Sequence, residues 1–136
     1  MAADAAMFSK LNAVSEITGG VYPGYAPQSA ALPYAVYSVF SDRPHRFMQG
    51  SCSLAEAEYQ VSVYAETLDS ANTVTEAIRG ALDGVQGVTI AGISVRRISL
   101  TNQRNATTLF DSSQDQTVEI QMDFTIYYLR SETPST

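Results

Sequence analysis

The sequence has no tryptophan, and it has only one cysteine (Cys52), one histidine (His45) and one lysine (Lys10) among 136 residues. A lone cysteine excludes an intrachain disulfide and any multi-cysteine metal site, which leaves a cytosolic chain as the simplest expectation. Charged residues make up 16% of the chain, below the roughly one quarter usual for soluble domains, so neutral Ser, Thr, Gln, Asn and Tyr must cover much of the surface. Fourteen acidic against eight basic residues give a formal net charge of −6. That balance argues against a protein that coats duplex nucleic acid, because such binding is driven by Lys and Arg displacing counterions. No segment has the ~18 apolar residues of a membrane span. The opening MAADAAMFSKLNAVSEI lacks the basic and unbroken apolar regions of a signal peptide. Phosphate-loop, zinc-helix and nucleophile-elbow motifs are all missing from the sequence.

The apolar pattern divides the rest into elements. Met7, Leu11 and Val14, with Phe8 and Ile17 widening the stripe, predict an amphipathic helix over residues 5–17 that stops at Thr18-Gly19-Gly20. A proline-punctuated loop over 21–33 leads into a strand over 34–41. Residues 42–53 (DRPHRFMQGSCS) have no period and read as an extended, mobile loop. Over 56–67, Tyr59, Val61, Val63 and Ala65 alternate with Glu58, Gln60, Ser62, Tyr64 and Glu66, the signature of a half-buried strand. A second helix is expected over 70–83, with Asp69 or Ser70 as N-cap and Gly84 as stop. A strand over 93–101, a polar loop over 102–116 and a final alternating strand from Val118 complete the chain. The expected fold is α+β: an antiparallel sheet of about four main strands with two helices on its apolar face, in the order α-β-β-α-β-β. One domain spans 1–130, and residues 131–136 form a disordered tail.

Candidate chemistry is sparse. His45 and Cys52 share one loop but have no neighbour to orient the ring or lower the thiol pKa, so no catalysis is expected there. Glu119 and Asp123 lie ~13 Å apart along one strand face, too far for a paired-carboxylate mechanism, and read as a solvated face. Arg43 and Arg46, beside His45 and Phe47, either dock a partner's carboxylates or belong to a solvated loop. Tyr22, Tyr25 and Tyr34, set among Pro23, Pro27 and Pro33, form either an anchor cluster for another subunit or a loop packed on its own sheet. No cofactor, metal or membrane partner is expected, and no enzyme activity.

The stretch VYPGYAPQSAALPYAVY, preceded by a helix that ends in a Gly-rich turn, resembles the opening of the tail-completion, or tail-terminator, proteins of long-tailed bacteriophages and gene transfer agents. EYQVSVYAET and the following SANTVTEAIRGALDG resemble that family's middle strand and helix, so the likeness runs from about residue 8 to residue 87. The resemblance implies an α+β subunit of a structural ring, typically of six copies, capping the head-proximal end of the tail tube in the virion. Its implied partners are further copies of itself, the tail-tube protein and a head-closure or neck protein, after assembly in the bacterial cytoplasm. DNA would pass through the channel without specific binding. Under this reading, Tyr22, Pro23, Tyr25, Pro27, Pro33, Tyr34, Arg43, His45, Arg46 and Phe47 are candidates for subunit or partner contact. Glu58, Glu66, Glu119 and Asp123 are candidates for the channel wall. A neck adaptor of the same connector, a small ligand-binding protein and a dimeric regulator are the competing readings.

Overall fold

The computed structural model describes residues 4–25, 31–45, 52–105 and 118–131. Along the chain run α1 (Asp4–Asn12), β1 (Val21–Pro23), β2 (Tyr34–His45), β3 (Cys52–Ala65), α2 (Leu68–Leu82), β4 (Gln86–Ile90), β5 (Ile93–Asn105) and β6 (Val118–Ser131). The strands form one six-stranded sheet in the order β1-β2-β3-β6-β5-β4. The class is α+β as expected, but the sheet has six strands rather than about four, and it is mixed because β1 pairs with β2 in parallel. All other pairings are antiparallel.

The central pair, β3 and β6, is in register over the whole of β3, from Cys52↔Ser131 to Ala65↔Val118. Alternation explains why. Tyr59 opposite Phe124, Val61 opposite Met122 and Ala57 opposite Ile126 all point to the helix side, and a one-residue slip would turn every one of them outward. Met7 and Leu11 of α1 and Val74, Ile78 and Leu82 of α2 bury into the same cluster. Full burial of each such aliphatic side chain contributes ~1.5–3 kcal/mol.

The short helix α1 touches both edge strands, β1 and β4. In a flat six-stranded sheet those edges would lie ~24 Å apart, yet the helix is only ~13 Å long. The sheet therefore curls around its helices.

Several boundaries depart from the sequence expectation. The first helix ends at Asn12 rather than 17, and its apolar stripe continues as turns: the Val14 N–H bonds Leu11 O and the Ile17 N–H bonds Val14 O. The three-residue spacing of Leu11, Val14 and Ile17 suits tight i→i+3 bonds as well as it suits a helix. The second helix begins two residues earlier, and its cap is neither Asp69 nor Ser70. Thr67, extended at φ −130° and ψ 160°, accepts a bond from the Ser70 N–H, so the capping oxygen lies three residues before its donor. The helix ends one residue before the expected stop: Asp83, at φ −70° and ψ 127°, is its C-cap, and Gly84, at φ +87°, lies in the following turn with its N–H on Ile98 O. Residues 42–45 and 52–53, expected to be loop, are strand, so β2 and β3 are long arms of one hairpin. Residues 102–105 likewise extend β5. The described ends of the two strand pairs, His45 and Cys52 on one and Asn105 and Val118 on the other, lie at opposite ends of the sheet, since Cys52 is level with Ser131 and Asn105 with Ile120.

Candidate functional site

Two surfaces gather the residues singled out from the sequence. The first is a strip of tyrosines on the helix-free face. Tyr22 of β1 bends its hydroxyl back to donate to Gly19 O at 2.8 Å. Its ring meets Tyr34 edge-on at 6.1 Å, and Tyr34 stacks on Tyr64 at 5.0 Å and 26°. Tyr34 and Tyr64 are direct cross-strand partners, which is the geometry that lets aromatic rings stack across a ladder. The Tyr64 hydroxyl donates to Glu119 Oε2 at 3.1 Å, and Gln121 Nε2 donates to the same oxygen at 3.0 Å. Burial, then the negative charge of Glu119, pushes the Tyr64 phenol up to about 12. The strip thus ties four strands together on their outer face.

Of the loop residues predicted with it, Pro33 is half-buried, Pro23 is exposed at the end of β1, and Tyr25 is 83% exposed. Pro27 lies outside the described residues, as do Arg46 and Phe47. Arg43 and His45 stand in β2 opposite Glu56 and Leu54. Tyr22 and Tyr34 are thus packed on their own sheet, and Tyr25 is left in solvent.

The second surface is the acidic face of the central strands. Glu58, Glu119 and Asp123 all sit on the side of β3 and β6 away from the helices, opposite Thr125, Tyr64 and Gln60. Glu66 is exposed just past the end of β3. Arg104 pairs with Asp123 at 2.9 Å, and the Thr101 hydroxyl donates to Asp123 O. By strict alternation Arg96 and Arg97 would face opposite sides of β5, one of them toward this acidic face; a β-bulge lies between Val95 and Arg97, and both arginines are exposed.

On the helix side, a bulge at Phe40 carries Asp42 to the position opposite Ala57, where the Tyr128 hydroxyl donates to its carboxylate at 2.7 Å. The Tyr59 hydroxyl donates to Asp4 at the start of α1. Burial, then the bond to Asp4, raises the Tyr59 phenol far above its usual range. These two bonds hold the N-terminus of α1 and the lower half of β2 against the core. Sequence reading missed Asp42, Tyr128, Phe40 and Arg104, because each depends on a bulge or a cross-strand partner. Tyr64 alone was within reach, since it alternates on the polar side of β3.

Among the described residues no group of three His, Cys, Asp or Glu side chains could hold a metal ion, and no helix is long and apolar enough to cross a membrane. Among the described residues the arrangement offers packing, hydrogen-bonding and charged surface.

A family model described as tail completion protein gp17 matches residues 5–129. Among solved structures, a chain from the "Virion of native gene transfer agent (GTA) particle" superposes with a TM-score of 0.67 at 14% identity, covering 92% of each chain. No curated protein matches.

Proposed function

Because this chain belongs to the tail completion protein gp17 family, and so is a structural protein of the viral tail, we propose that it forms a ring, of six copies, on the head-proximal end of the tail tube. There it stops tube polymerisation and joins tail to head. The observation that carries this reading is the family match across nearly the whole chain. The fold it shares with a chain from a gene transfer agent virion agrees with it. In this role its partners are its own copies, the tail-tube protein and a head-closure protein, and DNA crosses the ring without specific contact.

The acidic face suits the channel wall. Glu58, Glu119 and Asp123 line one side of the central strands, with Glu66 beside them, and like charge repels a passing phosphate backbone instead of gripping it. A ring structure with these four carboxylates on its outer wall would overturn that assignment. The exposed Tyr25 and Pro23, with Arg43 and His45 on β2, serve contact between neighbours.

The test is native mass spectrometry and negative-stain imaging of the purified protein, alone and mixed with tail tubes of the same virus. Six-fold particles, or caps on one tube end that arrest growth, are expected. A stable monomer or dimer that ignores tubes, or binding to the portal side alone, would replace this reading with a neck adaptor or a role outside the virion.

A further inference from the structure

If the chain is a ring subunit, two of its surfaces must meet, and the outline of the sheet identifies them. Both edge strands are short, and they lie at opposite ends. On one side β1 covers only Ala35 to Tyr37 of β2, level with Val63 to Val61 of β3. Below it, among the described residues, the outer margin of β2 from Ser38 to His45 has no strand beside it. These residues are level with Gln60 down to Leu54.

On the other side β4 covers Ser94 to Arg97 of β5, level with Leu129 to Tyr127 of β6 and hence with Leu54 to Glu56. The chain before β4 prolongs this cover: the Gly84 N–H bonds Ile98 O, the Ile98 N–H bonds Val85 O, and Asp83 Oδ1 accepts the Leu100 N–H. Leu100 is level with Tyr59. Above it, Thr101 to Asn105 are all exposed, and Asn102 to Asn105 are level with Gln60 to Val63.

Each side is therefore a step beside a notch, and the two outlines are inverse at the same heights. We propose that a second copy of this chain, in the same orientation, docks head to tail along this line. Its β4 enters the notch beside β2, and β1 enters the notch beside its β5. Strand directions make the first contact parallel and the second antiparallel. Contacts between like edges fit worse: the three-residue β1 half fills the long notch beside β2, and the long step at β4 overfills the short notch beside β5. Unlike surfaces in contact repeat from copy to copy until rotation closes them into a ring.

The side chains agree with this line. Tyr25, Val39 and Phe40, exposed by 83, 42 and 58%, stand where β1 ends and the notch begins, and Val88 on β4 is 42% exposed. Large apolar side chains gathered at an open sheet margin mark a surface built to be covered. Pro23 and Pro44 each remove a backbone donor from these margins. Contact with an arbitrary strand is thereby weakened, and fit of outline matters more.

The experiment replaces Cys52 by Ser and introduces level-matched cysteines. Pro44 and Val88 are both level with Ala55, and Pro23 and Gln103 are both level with Val61. P44C/V88C and P23C/Q103C are assembled on tail tubes, treated with a short bismaleimide and run on a denaturing gel. Thermal melts by circular dichroism that match the wild type's first establish that both variants fold. A ladder of covalent multimers from each double variant, with each single variant staying monomeric, is expected. Dimers from V88C or P44C alone indicate like-edge contact and overturn the proposal. So does an unlinked double variant that native mass spectrometry finds in a ring, an outcome that leaves the ring reading standing. No oligomer under any condition overturns both.

Discussion

At the scale of single residues, the polar atoms that matter act by position. A Cβ built on Gly19 collides with the carbonyl of Ala31, while the Gly19 N–H bonds Pro33 O at 2.7 Å. Gly19→Ala is therefore expected to destabilise by at least ~2 kcal/mol, since backbone rather than a flexible side chain must move; urea unfolding measures it. Tyr59→Phe removes the donor that holds Asp4. A loss of about 1.5–3 kcal/mol is expected for a bond to a charged acceptor, together with faster amide exchange in α1. Tyr64 gives a pH signature. Its folded pKa is raised from 10.0 to about 12, so the folded state keeps the phenolic proton more tightly than the unfolded chain does. The stability it contributes is fully present below pH 10 and is lost as pH rises towards 12. Tyr64→Phe should flatten that alkaline fall in a series of thermal melts; an unchanged slope would assign the fall to other groups.

At the scale of elements, caps and turns set the boundaries. Thr67→Ala removes the acceptor for the Ser70 N–H and should cost about 1 kcal/mol, seen as a lower melting temperature. The β4–β5 hairpin turns through Ala91 and Gly92, both at positive φ (52° and 81°). A left-handed alanine is strained by ~1 kcal/mol, so Ala91→Gly is expected to stabilise the protein by a similar amount.

These same features decide what the sequence made legible. β3 and β6 could be read because their alternation extends over many residues and matches one buried face. β4 could not: Gln86 to Thr89 are exposed and Gly87 interrupts them, so no buried face writes a pattern, and Ala-Gly is a weaker turn signal than Asn-Gly. β1 is three residues long, too short to carry a period. The lower half of β2 hid behind Pro44 and the bulge at Phe40, which shifts every later side chain by one face. The tyrosine strip was half visible, since Tyr22 and Tyr34 stood out by composition while Tyr64 joins them only through strand register.

At the scale of the whole molecule, one core includes residues from both helices and every strand. Far-UV circular dichroism and tyrosine fluorescence should therefore follow a single coincident unfolding transition. Ile78→Ala, at a site with 0% exposure, should move both probes together by about 2–4 kcal/mol. Two separated transitions would mean that the α1 and α2 regions unfold independently.

The opposed ends of the two long strand pairs have a consequence for specificity. Any assembly that keeps its copies in one orientation gathers the His45 and Cys52 ends on one rim and the Asn105 and Val118 ends on the other. The molecule thus has a front and a back that can mutate separately. If the chain joins tail to head as proposed, it can change one mating partner without renegotiating the other.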